Sequence, residues 1–99
     1  MTTKVKVAEQ VESFVKALAP EPRRALRQGI KGLAQDKGEV KRLEGKLSPY
    51  HRLRVGHHRV IYAERFESGT RYIDCVFAQE RAVVYDLFLQ LRTEEFGAP

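Results

Sequence analysis

Apolar residues recur with one period in the first third of this chain and with another period after residue 38. Lys4 to Val7 alternates polar and apolar side chains, which predicts a short edge strand. Apolar residues three or four positions apart then predict a helix that ends near Pro20, because proline cannot continue a helix. A second amphipathic helix is predicted from about Pro22 to Gln35. The connection is short, so the two helices are expected to form an antiparallel hairpin.

After the turn sequence DKGE the apolar period changes to two. The segments RLRV, HRVIYAE and TRYIDCVFA are separated by GH and ESG, which predicts a three-stranded antiparallel meander. A tight turn centred on Gly56 and His57 would pair Arg54 with Arg59. One face of the sheet would then carry the arginines, and the other face the apolar residues. The arginines are Arg52, Arg54 and Arg59, and the apolar residues are Leu53, Val55 and Val60.

This arginine face predicts a ligand. Like charges directly opposite each other on neighbouring strands destabilise a sheet by up to about 1 kcal/mol unless an anion compensates them. Planar guanidinium groups bind phosphate oxygens in pairs, so the expected ligand is phosphate-like and polyvalent. A solvated face without a ligand is the alternative.

The last segment, ERAVVYDLFLQLRTEEF, predicts a terminal helix that packs through Val84, Leu87, Phe88 and Leu91. Arg81 and Tyr85 would then lie one turn apart on one side of this helix. Leu89 falls outside the packing stripe, which hints at a protein partner. The predicted fold is α+β over a single domain, residues 1–99. It consists of a short N-terminal strand, an antiparallel helical hairpin, a three-stranded antiparallel meander and a C-terminal helix.

Composition and charge reduce the number of possible functions. The net charge is +5 over 99 residues, and residues 41–65 carry seven basic residues against two acids, which favours a polyanionic partner. The sequence has no apolar run of about 20 residues and no signal-peptide core, so we expect a cytoplasmic protein without membrane contact. The single cysteine, Cys75, lies in the apolar run YIDCVFA and is expected to be a buried core residue.

Three motifs and their spacing identify a family resemblance. RLEG at 42–45, YHRLRVGHHRVIY at 50–62 and ERAVVY at 80–85 follow one another in an order that resembles the RelE/ParE toxin superfamily of bacterial toxin–antitoxin systems. The resemblance implies a RelE-like toxin with a cognate antitoxin. It also implies an endoribonuclease that cleaves mRNA at the ribosome without a metal or another cofactor, using the 2′-hydroxyl of the substrate as nucleophile.

The resemblance also suggests the site residues. The matching catalytic positions are Arg52, Arg54, Arg59, Arg81 and Tyr85. Candidate RNA-binding residues are Lys46, Tyr50, His51, His57 and His58, and a tyrosine among Tyr50, Tyr62 and Tyr85 could stack on a base. Gln79 stands where some RelE members carry a further basic residue, which leaves His57 or His58 as an alternative proton donor.

Two other functions remain open at this point. ParE-like toxins inhibit DNA gyrase without catalysis, and the long terminal segment after Tyr85 fits such members as well. A catalytically degenerate module that only binds its antitoxin, or DNA, is the other alternative. The paired arginines 52 and 54, together with Arg81 and Tyr85, favour the endoribonuclease.

Overall fold

The computed structural model describes residues 2–95. Its strands are β1 (Thr2–Val7), β2 (Glu39–Arg42), β3 (His51–Val55), β4 (His58–Glu67) and β5 (Thr70–Glu80), and its helices are α1 (Glu9–Lys16), α2 (Pro20–Gly32) and α3 (Val84–Glu95). Short 3₁₀ turns occupy Leu33–Gln35 and Gly45–Leu47. None of the helices in this part of the chain is long and apolar enough to span a membrane.

The strands form one sheet in the order β1-β5-β4-β3-β2. β1 runs parallel to β5, and all other neighbours are antiparallel. The predicted α+β class, the edge strand, the helical hairpin and the β3–β4–β5 meander are confirmed. The sequence did not predict β2, because all four of its residues are exposed and only its backbone pairing with β3 makes it a strand.

The β3–β4 hairpin has the register predicted from the sequence. Arg54 lies opposite Arg59, and Leu53 lies opposite Val60. Gly56 has a φ of +60°, which a type II′ turn requires at its first central residue and which glycine adopts without a steric cost. The two-residue turn therefore determines which residues share a face.

The helical hairpin covers one face of the sheet. Its buried residues pack against the inward-facing positions of β3, β4 and β5. This core consists of Val11, Val15, Leu26, Ile30 and Leu33 from the hairpin and its 3₁₀ turn, with Leu53, Val60, Tyr62, Ile73, Cys75 and Ala78 from the sheet. α2 begins at Pro20, where the missing N–H costs nothing because the first helical N–H has no intrahelical partner.

A glutamine of α1 completes the hydrogen bonding of β5. β1 ends opposite Cys75, so the backbone of Ala78 has no strand partner on that side. The side chain of Gln10 donates to the carbonyl oxygen of Ala78 and accepts from its N–H, both at 2.8 Å. This paired contact holds the end of β5, just before the segment that contains Arg81.

α3 packs on the opposite face of the sheet through Val84 and Phe88, which contact Ile61 and Phe77. The predicted packing stripe is therefore only half right, since Leu87 and Leu91 are 38% and 40% exposed. Helical periodicity marks two adjacent apolar rows on this segment. Only the row of Val84 and Phe88 meets the sheet, and Leu89 is half-buried.

Arg81 does not lie on the terminal helix, which corrects the prediction. β5 continues to Glu80, residues 81–83 form a turn, and α3 begins at Val84. The N–H of Arg81 donates to the carbonyl oxygen of His57 at 2.8 Å, which continues the strand pairing one residue beyond β5. The end of the predicted helix, Phe96, lies outside the described residues.

Candidate functional site

An open cleft of about 770 Å³ lies on the sheet face that also carries α3. It is lined by Lys41 and Arg42 of β2, by Leu43, Glu44 and Leu47 after it, by Arg52 of β3 and Arg59 of β4, by Arg81 and Ala82 of the turn before α3, and by Tyr85 in the first turn of α3. Four of the five predicted catalytic residues thus come together in one place, although up to 33 sequence positions separate them. The sheet brings them together because β3 and β4 are neighbours and β5 delivers Arg81 beside their turn.

The cleft is strongly positive. Among the described residues, five cationic side chains and a single carboxylate, that of Glu44, line it. Acidic residues of the neighbouring strands pair elsewhere: Glu64 accepts from Arg71 at 2.7 Å, and Asp74 accepts from Arg65 at 2.8 Å. These carboxylates therefore do not neutralise the cleft.

Two of the cleft arginines are positioned by backbone carbonyls. Nη1 of Arg59 donates to the carbonyl oxygens of Gly56 and His58, at 2.9 and 3.0 Å. Nη1 of Arg52 donates to the carbonyl oxygen of Glu39 at 3.2 Å. A carbonyl orients a guanidinium group and leaves its positive charge uncompensated, so these cations remain available for an anion.

Arg54 is the predicted catalytic residue that does not line the cleft. Its side chain is 49% exposed, and its Nε lies 3.7 Å from a carboxylate oxygen of Glu39. Glu39 thus gives Arg54 a protein partner, while Arg59 turns to the carbonyls of its own hairpin. The repulsion between Arg54 and Arg59 therefore does not by itself require a bound anion. The case for an anion depends on the cations of the cleft.

Tyr85 brings a hydroxyl group to the cleft from the first turn of α3. Its half-buried ring packs against the apolar cluster of Ile61, Phe77 and Phe88. Within residues 2–95 the hydroxyl has no hydrogen-bond partner. A group held by its ring and free at its oxygen can exchange a proton with a ligand.

None of the five predicted RNA-binding residues lines the cleft. Lys46 is exposed in the 3₁₀ turn beside it. Tyr50 packs edge-on against Phe88, with ring centroids 5.0 Å apart, and its hydroxyl accepts from Arg92. Both contacts give Tyr50 a structural role beneath α3.

His51 faces the helical hairpin, on the opposite side of the sheet from Arg52. Its ring stacks on Tyr62 at 5.2 Å, and its Nε2 lies 3.8 Å from Glu64. Tyr62 is itself only 5% exposed, and burial raises the pKa of its hydroxyl. Of the three tyrosines considered for base stacking, only Tyr85 lines the cleft.

His57 and His58 lie at the tip of the β3–β4 hairpin. With Glu80 they line a second depression, which also includes Arg81 and Ala82 and so adjoins the cleft. His57 is exposed, and His58 contacts the ring of Phe14 edge-on at 5.6 Å.

Sequence reasoning missed part of the cleft. One wall of the cleft is formed by Lys41, Arg42 and Glu44. The sequence analysis included them only in the local net charge or in the RLEG motif and did not predict them as site residues. The motif itself was the available signal, because it places one cation, Arg42, and one carboxylate, Glu44, shortly before the arginine strand, and Lys41 directly precedes it.

The side chains that could bind a metal ion are dispersed over the described part of the chain. Between residues 2 and 95 there is no group of three or more His, Cys, Asp or Glu side chains that could hold a metal ion.

Comparison with known proteins gave structural neighbours only. No family model matches the sequence, and no curated protein matches it. The fold is similar to that of the archaeal RelE–RelB complex from Pyrococcus horikoshii OT3, with a TM-score of 0.61 and 26% identity over 82% of this chain and 97% of that one.

Two further structures share the fold. The RelB–RelE antitoxin–toxin complex from Methanococcus jannaschii has a TM-score of 0.58 and 19% identity over 84% of this chain and 98% of that one. The YoeB/ParE toxin from Agrobacterium tumefaciens has a TM-score of 0.62 and 14% identity over 79% of this chain and 98% of that one. The resemblance and the fold class predicted from the sequence are confirmed.

Proposed function

We propose that this protein, which has the fold of the RelE/ParE toxin superfamily, is the toxin of a toxin–antitoxin module and a metal-independent endoribonuclease that cleaves mRNA at the ribosome. The observation that supports this most is the convergence of Arg52, Arg59, Arg81 and Tyr85 on one positive cleft. The likeness to RelE and YoeB/ParE toxins supports the toxin role.

The reaction needs three groups from the protein: one that accepts a proton, one that donates a proton, and cations close to the phosphate. The 2′-oxygen of the RNA attacks the adjacent phosphorus, and the bond from phosphorus to the 5′-oxygen breaks. One proton must leave the 2′-hydroxyl, and one must reach the 5′-oxygen, which gives a 2′,3′-cyclic phosphate and a 5′-hydroxyl end. Negative charge grows on the phosphate oxygens in the transition state, so fixed cations close to them lower the barrier.

The cleft residues supply the cations and one of the two proton-transfer groups. Arg52 and Arg59 are oriented by carbonyls and retain their charge, so they are suited to bind the phosphate oxygens. Arg81 forms no ion pair within residues 2–95, and it is placed to add a third cation. The hydroxyl of Tyr85 is the group we assign to proton transfer.

Mapping 5′ ends of mRNA in cells that express the protein tests this function. The wild type should produce new 5′-hydroxyl ends within messages. Tyr85→Phe keeps the packed ring and removes only the hydroxyl, and it should lower cleavage by about 10²-fold, the usual scale for one acid–base group. Tyr72→Phe is the matched control, because Tyr72 lies on β5 away from the cleft lining.

The same experiment tests the alternatives. Intact messages with undiminished toxicity of Tyr85→Phe would overturn the endoribonuclease and favour a gyrase inhibitor. Such an inhibitor would cause DNA damage and would not truncate messages. A protein that is harmless in the absence of any antitoxin would overturn the toxin role itself.

The proposed partner is a cognate antitoxin, as in the two similar structures that are RelB–RelE complexes. An apolar groove of about 510 Å³ lies between β1 and the helical hairpin. Val5, Val7, Val15 and Ile30 give it an apolar floor, and Arg27 and Lys31 line its basic side. Gln28 and Glu12 complete the lining, and the carboxylate of Glu12 is paired with Lys16 at 3.1 Å. We assign it to an amphipathic antitoxin helix with an acidic flank, because apolar floor and basic rim complement such a helix.

Co-expression with the product of the adjacent reading frame tests this partner. The two proteins should copurify, and Lys31→Glu should weaken the complex while the control Lys37→Glu, which lies outside the groove, should not. Equal effects of both reversals would place the antitoxin elsewhere.

A further inference from the structure

The proposed reaction moves two protons, and the hydroxyl of Tyr85 can serve only one of them. One proton leaves the 2′-hydroxyl while another reaches the 5′-oxygen, so the acceptor and the donor are different groups in the same cleft. Guanidinium and ammonium groups carry N–H donors and no acceptor. The five cations of the cleft can therefore bind phosphate oxygens but cannot take a proton from a hydroxyl.

Glu44 brings the remaining acceptor to the cleft. Among the described residues its carboxylate is the only one in the lining, and His57 and His58 line the adjoining depression instead. Within residues 2–95 its side chain forms no ion pair, and it makes no capping hydrogen bond to the 3₁₀ turn that follows it. This carboxylate thus shares a cleft with five cations, pairs with none of them and is available to accept a proton.

The segment that carries Glu44 is fixed on both sides of this residue. Leu43 and Leu47 pack against the apolar cluster beneath α3, which also holds the ring of Tyr85. The N–H of Leu43 donates to the carbonyl oxygen of Tyr50 at 2.8 Å, and the N–H of Leu47 donates to that of Glu44 at 3.3 Å. A side chain between such anchors has a defined place, which proton transfer to a positioned group requires.

Glu44 and Tyr85 enter the cleft from different sides. Glu44 follows β2, the edge strand of the sheet, and Tyr85 belongs to α3, which follows β5. β3 and β4 lie between these two strands and bring Arg52 and Arg59. In phosphoryl transfer the attacking and leaving oxygens lie roughly in line on either side of the phosphorus. A phosphate bound by the two arginines therefore has an acceptor on the β2 side and a donor on the α3 side.

We propose that Glu44 is a catalytic residue that accepts the proton of the 2′-hydroxyl, while the hydroxyl of Tyr85 donates a proton to the 5′-oxygen. This inference rests on the proposed endoribonuclease function. As the proton moves to the carboxylate, the 2′-oxygen bonds to phosphorus. The bond from phosphorus to the 5′-oxygen breaks, and that oxygen takes the tyrosine proton. Proton exchange with solvent then returns Glu44 to its carboxylate and Tyr85 to its phenol.

The charge of Glu44 separates a catalytic role from a purely electrostatic one. A carboxylate that only repelled RNA phosphates would, when replaced in Glu44→Gln, give tighter binding and cleavage at least as fast as that of the wild type. A catalytic acceptor predicts that the variant binds RNA at least as tightly and cleaves it about 10²-fold more slowly. Glu21→Gln is the control and should behave as the wild type, because it makes the same charge change on α2, across the sheet from the cleft.

Two measurements provide these values. Single-turnover cleavage on programmed ribosomes gives the rate. RNA with a 2′-O-methyl group at every position lacks the nucleophile, so it gives the affinity without reaction. Retained affinity of Glu44→Gln also shows that the variant is folded.

A substrate with sulfur in place of the 5′-oxygen identifies which proton each group moves. A thiolate leaves without being protonated, because thiols are much stronger acids than alcohols. Tyr85→Phe should therefore cleave this substrate nearly as fast as the wild type does, whereas Glu44→Gln should remain about 10²-fold slower.

The outcomes separate this inference from the function on which it rests. Cleavage by Glu44→Gln at the wild-type rate would overturn the role of Glu44 and leave the endoribonuclease standing. Recovery of Glu44→Gln, and not of Tyr85→Phe, on the sulfur substrate would do the same, because Glu44 would then be the proton donor. The absence of any cleavage by the wild type would overturn both.

Discussion

Arg52 and Arg54 are two residues apart on one strand, and the structure predicts very different roles for them. Arg52 lines the cleft and is oriented by the carbonyl oxygen of Glu39. Arg54 is outside the cleft and lies near the carboxylate of the same glutamate. Replacing each arginine by glutamine removes one positive charge from the same strand, so the two variants control for each other.

The expected magnitudes follow from these environments. Losing one preorganised group that stabilises transition-state charge costs about 3 kcal/mol, so Arg52→Gln should lower the cleavage rate by roughly 10²-fold. Arg54 is half exposed, and its contact with Glu39 is long at 3.7 Å. Such a surface pair contributes between about 0 and 1 kcal/mol to stability, and Arg54 does not line the cleft. Even if all of that energy were lost from the transition state, Arg54→Gln should change the rate less than about fivefold.

Single-turnover cleavage of a defined mRNA on programmed ribosomes would measure both rates. Thermal unfolding would serve as the control, because both variants should unfold within a few degrees of the wild type. Each side chain lies at the surface and makes at most one weak or ordinary polar contact. Equal rate losses in the two variants would refute this reasoning, since a role for the whole arginine face would then be correct and the cleft would not define the site.

Three further predictions concern binding and stability. If Arg81 contacts a phosphate, Arg81→Gln should reduce the log-log slope of RNA affinity against salt by about 0.7, and an unchanged slope would remove that contact. Phe88→Ala, at a position 3% exposed, should lower the free energy of unfolding in urea by about 3–5 kcal/mol, whereas Leu91→Ala, at 40%, should cost less than about 1 kcal/mol. Burial raises the pKa of the Cys75 thiol from 9.0 to about 12. The thiol therefore ionises at lower pH in the unfolded chain than in the folded protein. The free energy of unfolding should fall as pH rises between these two values, by at most about 1.4 kcal/mol per pH unit. Cys75→Ala should flatten this decline in melting temperature, and rapid alkylation of the folded protein would contradict the burial.

The sequence determined the features that depend on neighbouring residues. Gly56 and the alternation of arginine with aliphatic residues predicted the β3–β4 register correctly, because a two-residue turn leaves one pairing that buries Leu53 opposite Val60. The helical hairpin followed in the same way from apolar periodicity and from Pro20. Motif order then indicated the superfamily, and four of the residues that line the cleft.

Where two residues or two apolar rows have the same local sequence pattern, only the tertiary structure decided which of them makes the contact. α3 carries two apolar rows, and contact with Ile61 and Phe77 selects the row of Val84 and Phe88. Arg52 and Arg54 have the same local pattern, yet only Arg52 lines the cleft, because the approach of β2 brings Glu39 to Arg54. Such choices depend on residues distant in sequence, whose contacts form only when the sheet closes, so no local period or propensity contains them.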